Sequence, residues 1–267
     1  MRFLTSDGVS LFYEVDGEGQ ALVMLNGIWG DTSLWTRQVE CFSKKYCCVR
    51  MDHRGVGRSE KWIGKYSYDL HARDTFELIN ELSIDKCHIL GVCHGGMVGT
   101  TFAMNYKNQI ISLIMNGTLL LKSHRQKIVY AGWRDVMKTS GFEVLHRSTI
   151  VPTIMSDKYI NHNSDHINDM VVATRNRIDP NAALCLIDAL YEYGYSEDQI
   201  AEINVPSLII SCQDDLFSPA HHVEKIHKLW KNSSYYMIKD SGHFPQREAA
   251  GEYNELVMYY LARYDAI

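Results

Sequence analysis

The chain has 267 residues, enough for one large core or for a core with a sizeable insertion. Hydrophobic residues make up 46% and charged residues 22%, an ordinary balance for a soluble globular protein; the net charge of -5 gives no reason to expect nucleic acid or an anionic membrane surface as a partner. No apolar run approaches the roughly 20 residues of a membrane span, the N-terminus lacks the basic-then-apolar order of a signal peptide, and the scattered cysteines form no Cys-x-x-Cys pair, so reduced thiols in a cytoplasmic protein are expected.

In chain order, "VSLFYEV" (9–15) alternates like a half-buried strand, and "DGEGQ" then turns. "ALVMLNG" (21–27) is a continuous apolar run stopped by a glycine, as in a strand buried on both faces. "CCVRMDHRG" (47–55), "CHILGVC" (87–93) and "ISLIMNG" (111–117) repeat the pattern, and "SLIISCQDD" (207–215) and "YYMIKDSGH" (235–243) follow later. Helical periodicity fills 33–44, 69–82 and 94–106; in the second, Leu70, Phe76, Leu78, Ile79 and Leu82 can share a face. This alternation predicts an α/β protein with a mostly parallel sheet and helices on both faces.

Residues 122–203 break the rhythm. The stretch is helical in pattern and carries Tyr130, Trp133, Met137, Met155, Tyr159, Met170 and Tyr191. It reads as an inserted helical cap, with 1–121 and 204–267 forming the core. Cap-to-core packing accounts for most of its aromatics.

In open α/β sheets, reactive groups gather beyond the carboxyl ends of strands. After the strand ending "CHIL" comes Gly91-Val92-Cys93-His94-Gly95-Gly96. The glycines permit a sharp strand-to-helix turn that exposes Cys93 at a helix N-terminus, where the dipole favours a thiolate. After "SLIIS" comes Cys212-Gln213-Asp214-Asp215, and Asp215 lies four residues before Pro219, a spacing suited to a triad acid; Asp214 is its less favoured twin. After "YYMIKD" comes Ser241-Gly242-His243, a base candidate on a loop. After "ALVML" comes Asn26-Gly27-Ile28-Trp29-Gly30, placed to supply an oxyanion donor from the N–H of Ile28, with the N–H of His94 as the second. Such a donor contributes about 3–4 kcal/mol in related sites. Trp29, Trp133, Phe217 and Phe244 are the expected walls of the substrate pocket.

Together these segments resemble the α/β-hydrolase superfamily over essentially the whole chain, in the small capped group of enol-lactone hydrolases, haloperoxidase-like esterases and stand-alone thioesterases. "SDGVSLFYEVDGEGQALVMLNG", "MDHRGVGRSE", "VPSLIISCQDDLFSP" and "DSGHFP" are similar to that group's motifs, in the same order. Two departures stand out. Asn26 occupies a position where most members carry histidine, and Cys93 replaces the usual serine; thiol nucleophiles occur in dienelactone hydrolases and polyhydroxyalkanoate synthases. The resemblance implies a cysteine-dependent hydrolase, acyltransferase or cyclase without a cofactor, acting on an ester, lactone or thioester of a small-molecule acyl substrate, free or carrier-bound. Two alternatives stay open: a ligand-binding homologue without catalysis, and carbon–carbon cleavage with His243 as base. The oligomeric state is not legible.

Other features have plainer readings. His162 and His166 have metal-ligand spacing on a helix, but no third ligand is evident. His221, His222 and His227 suit a solvated helix face, and "DHRGVGRS" suits a tight turn near the site. Cys47 and Cys48 read as small core residues, Cys212 as strand-end packing, and the His94 ring as pocket wall.

Overall fold

The computed structural model describes residues 1–121 and 123–264; residue 122, at the start of the expected cap, and residues 265–267 lie outside the described residues. Its strands are β1 (Arg2–Leu4), β2 (Ser10–Asp16), β3 (Gln20–Leu25), β4 (Tyr46–Met51), β5 (Cys87–Val92), β6 (Ile110–Asn116), β7 (Ser207–Cys212) and β8 (Ser233–Ile238). They form one sheet in the order β1-β2-β4-β3-β5-β6-β7-β8. The β1–β2 and β2–β4 pairings at one edge are antiparallel, and the pairings from β4–β3 through β7–β8 are parallel. β3 leads to β4 on one side and β5 leads to β6 on the other, so the order reverses between β3 and β5, whose carboxyl ends lie side by side.

The sheet splits its side chains between two cores because successive strand residues point to opposite faces. Val23 and Leu25 of β3 join one cluster with residues of α2 (Tyr68–Glu81) and α3 (His94–Asn105); Leu22 and Met24 join the other, with α1 (Thr36–Phe42) and the C-terminal helix. That burial explains why these strands read as unbroken apolar runs. The three expected helices are present, with boundaries shifted by a few residues. The buried face of α2 differs from the apolar reading: His71, Asp74 and Thr75 are buried with Leu78 and Ile79, while Phe76 stacks half-exposed on Tyr106 at 4.2 Å.

Between β6 and β7 the described chain is helical: α4 (His124–Ser140), α5 (Phe142–Leu145), α6 (Val151–Ile154), α7 (Asp157–His162), α8 (Ile167–Arg175), α9 (Pro180–Glu192) and α10 (Glu197–Ala201). The segment closes on itself at a bridge between Leu121 and Tyr195, where the Tyr195 N–H donates to Leu120 O at 2.8 Å. The helix α10, capped by the reciprocal Ser196–Gln199 bonds, lies beyond that bridge and packs on α11 (Ala220–Leu229) through the Lys225–Glu197 pair. The last elements are α12 (Pro245–Glu248) and α13 (Ala250–Leu261). No helix of the described residues is long and apolar enough to cross a membrane.

Candidate active site

Cys93 stands between the end of β5 and the first residue of α3, with φ 52° and ψ -111°. A non-glycine residue in that region costs on the order of 1–3 kcal/mol, and the neighbours leave it no alternative. A Cβ on Gly95 would collide with the backbone carbonyl of Leu25, and one on Gly91 with the backbone of Gly95. The helix must start this tightly against β3, so the strained turn falls on the residue between the glycines. His94 is the first residue of α3, and its N–H is one of the helix's orphan donors. Among the described residues, neither the His94 N–H nor the Ile28 N–H donates a hydrogen bond. Gly27 sits against Cys93, since a Cβ on it would lie 3.6 Å from Cys93 Cβ. Both N–H groups are thus unspent, and the residue before Ile28 lies against Cys93.

The structure brings Asp215 and His243, the expected acid and base, together. His243 Nδ1 donates to Asp215 Oδ2 at 2.7 Å. The Asp215 carboxylate also accepts the N–H groups of Phe217 and Ser218, each at 2.9 Å, and the Ser218 hydroxyl. Asp214 makes no such contact; only its backbone is engaged, donating to Ser241 O at 2.9 Å. Burial raises the Asp215 carboxyl, but the His243 charge and the hydrogen bonds outweigh it, and its pKa ends below the usual carboxylate range. Burial likewise opposes a charged His243 ring; Asp215 and Cys93 beside it prevail, and its pKa is pushed up to about 10. His243 Nε2 has no hydrogen-bond partner among the described residues.

The cleft over the thiol has a cavity volume of about 90 Å³ and opens to solvent. Trp29, Trp133, Phe217 and Phe244 all line it with Cys93 and His243. They form a continuous aromatic wall: Trp29 lies 5.9 Å from Trp133, Trp133 stacks on Phe217 at 5.4 Å, and Phe217 meets the His243 ring edge-on at 5.1 Å. The His94 ring is not part of that wall. It is buried behind the elbow, 4.9 to 5.2 Å from the His71 and His53 rings and 5.0 Å from Tyr68. His94 is thus held by an aromatic box and contributes to the cleft only through its backbone.

Several residues that support the site have no local signature. Asn26 donates to Met51 O at 2.8 Å and accepts from Trp35 Nε1 at 2.7 Å, so its side chain ties the loop after β3 to β4 and never reaches the cleft. The "DHRGVGRS" turn braces the same loop: Asp52 accepts the Thr32 N–H at 2.7 Å, and buried Arg54 pairs with Asp74 at 2.5 Å. Ser218 could be suspected only from its place beside Pro219. Arg177, Arg247 and His146, all lining the cleft, come from parts of the chain without a motif.

The remaining histidines fall outside the cleft. His162 and His166 are both exposed and separated by the break at Asn163, and among the described residues no group of three or more ligands could hold a metal ion. His227 is not simply solvated; it bonds Ser233 at 2.7 Å and stacks on Tyr235. Cys48 and Cys212 are buried, with burial pushing both thiols upward, Cys48 to about 12. Such thiols are inert.

The family model described as the alpha/beta hydrolase fold matches residues 20–250. This chain belongs to the α/β-hydrolase family. Two relatives span most of it. The putative carbamate hydrolase RutD of Azorhizobium caulinodans is 23% identical over 83% of this chain and 83% of its own length. A 2-hydroxy-6-oxononadienedioate/2-hydroxy-6-oxononatrienedioate hydrolase of Burkholderia vietnamiensis is 25% identical over 97% of this chain and 94% of its own. Among solved structures, the enol-lactonase from Burkholderia xenovorans superposes with a TM-score of 0.89 at 22% identity, covering 98% of this chain and all of that one (100%). The family fold thus runs through the elbow, the acid loop and the base loop alike.

Proposed function

We propose that this α/β-hydrolase cleaves an ester, lactone or thioester through a covalent acyl-Cys93 intermediate. The reading rests chiefly on one observation: the only cysteine at a strained strand-to-helix turn stands beside an imidazole that is itself bonded to a buried aspartate. His243 takes the Cys93 proton, and the sulfur attacks the carbonyl carbon. The N–H groups of Ile28 and His94 hold the oxyanion. As the intermediate collapses, the bond to the leaving group breaks and His243 returns the proton to it. His243 then takes a proton from water, whose oxygen attacks the thioester; the acid departs and the proton returns to Cys93 sulfur. Asp215 keeps Nδ1 protonated and Nε2 directed at the reaction throughout.

The second nucleophile decides the outcome. Water gives hydrolysis, whereas an amine or carbanion gives transfer or ring closure, for which a thioester is a better donor than an oxygen ester. Exchange from a thioester, free or carrier-bound, onto Cys93 is nearly balanced in energy. An amide is disfavoured because a thiolate expels an amine poorly. The relatives' names favour one further reading, cleavage of a carbamate or a carbon–carbon bond with His243 as base. A panel of p-nitrophenyl esters and acyl thioesters, followed by intact-protein mass spectrometry, tests the proposal. An acyl adduct should form on wild type and be absent in Cys93→Ala. Turnover retained by Cys93→Ala but lost in His243→Ala would replace it with the His243-only chemistry.

A further inference from the structure

The cleft carries three ionisable side chains besides the histidines and cysteine named above: Asp31, Arg177 and Arg247. Two of them neutralise each other, since Arg177 Nε lies 3.2 Å from Asp31 Oδ2. Arg247 has no such partner. Among the described residues its guanidinium makes one contact, a donation from Nη1 to the sulfur of Met170 at 3.2 Å, and it forms no ion pair with a carboxylate. A thioether is a weak acceptor for a group that carries five N–H donors. The other wall offers no anion: His146, buried beside it, is pushed down to about 4 by burial and by the Arg247 charge, so it is neutral near pH 7. In a chain of net charge -5, this cleft therefore holds one uncompensated positive charge.

The guanidinium is also held in place. Arg247 belongs to α12, which starts two residues after His243, and its backbone carbonyl accepts from Arg37 Nη1 at 3.2 Å. Met170 of α8 contacts it from the insertion. A half-buried arginine anchored at both ends, with its remaining donors unspent and an apolar cleft in front of it, is arranged to take a planar, two-oxygen anion.

We propose that Arg247 is a specificity-determining residue that binds a carboxylate carried by the substrate, so the preferred substrate is an anionic ester, lactone or thioester with an apolar body. This rests on the proposed function for the bond that is cleaved, but not for the binding of the carboxylate. The Trp29–Trp133–Phe217 wall covers the apolar body, and Arg247 sets its orientation.

The test uses two matched substrates, the mono-p-nitrophenyl ester of adipic acid and the p-nitrophenyl ester of heptanoic acid, with wild type, Arg247→Met and Arg247→Lys. Wild type should favour the adipate ester in kcat/KM by about tenfold or more, mostly through KM, as expected for a charged hydrogen-bonded pair. Arg247→Met should abolish that preference and Arg247→Lys restore part of it. A variant that is merely misfolded lowers both substrates together; an unchanged ratio in a variant that keeps its rate on the heptanoate ester, or no preference in wild type, overturns the proposal. Calorimetric titration with adipate gives an answer independent of turnover. Binding by wild type that is lost in Arg247→Met supports the carboxylate site even if neither ester is cleaved, and equal binding by both refutes it.

Discussion

The backbone N–H of His243 donates to the carbonyl of Ile154, at the end of α6, at 2.7 Å. One residue earlier, the carbonyl of Thr153 accepts the N–H of Phe217 at 3.1 Å. The insertion therefore grips both loops of the acid–base pair. Glu248 completes the clasp, accepting the Gly242 N–H at 3.0 Å and the Ser156 hydroxyl at 2.6 Å through the same oxygen. Glu248→Ala is expected to loosen the His243 loop and lower kcat by about tenfold, or ~1.4 kcal/mol, with little change in KM. Steady-state kinetics would show a rise in KM alone if the clasp served binding and not the base.

Cys93→Ser should fold normally, because the backbone angles and the surrounding glycines are untouched. Its acylation should be at least ~10-fold slower, or about 1.4 kcal/mol, since a serine hydroxyl needs full general-base help during attack and a site shaped for sulfur holds a smaller atom loosely. Burst-phase kinetics read the acylation rate. Faster turnover by the serine variant would remove the case for a thiol-adapted site.

Asp215→Asn removes the charge that holds His243 high. The ring should lose most of its rise from about 10 and, being fully buried, fall toward or below its ordinary value near 6.5. The rate should drop by roughly 10⁴, as when a triad histidine loses its carboxylate. NMR titration of the imidazole follows the shift, and an unmoved pKa would mean that the pair is not coupled as described.

Trp133 is 4% exposed and stacks between Trp29 and Phe217. Truncation to alanine should cost about 3–5 kcal/mol by removing a buried aromatic that ties the insertion to the core. Urea denaturation measures it; a loss under 1 kcal/mol would show that the insertion adheres by its other contacts.

Acid should destabilise the fold through buried imidazoles. Burial lowers His53 and His146 to about 4, and it places His71 and His94 well below the ordinary value, with neighbouring histidines adding to the effect. Between pH 6.5 and 4 the unfolded chain binds protons that the folded chain refuses. Stability therefore falls as pH falls, by up to ~1.4 kcal/mol per pH unit for each such histidine. Urea midpoints at pH 7, 6 and 5 should show a shallower decline in His71→Phe than in wild type, and parallel declines would contradict the linkage.

The core elements were legible because each carries its signature locally. A strand buried on both faces, such as 87–92, must be an unbroken apolar run, and a turn this tight must be flanked by glycine, so Gly91-Val92-Cys93-His94-Gly95 announces itself. The spacing to Pro219 singled out Asp215 over Asp214, and in the structure it is the Asp215 carboxylate that accepts the Phe217 and Ser218 N–H groups. The box of His53, His71 and His94 was not legible, because helical periodicity counts apolar residues, while α2 buries a histidine packed among distant rings and an aspartate paired with Arg54. Nor could the uncompensated charge of Arg247 be read from the chain. Whether an arginine is paired depends on which carboxylates come within a few ångströms, and Asp31 reaches Arg177 across 146 positions in sequence while the Arg247 guanidinium, among the described residues, donates to Met170 and pairs with no carboxylate. Local sequence determines backbone conformation and the strand-end chemistry; distances between remote side chains, and hence the electrostatics of the cleft, exist only once the chain has closed on itself.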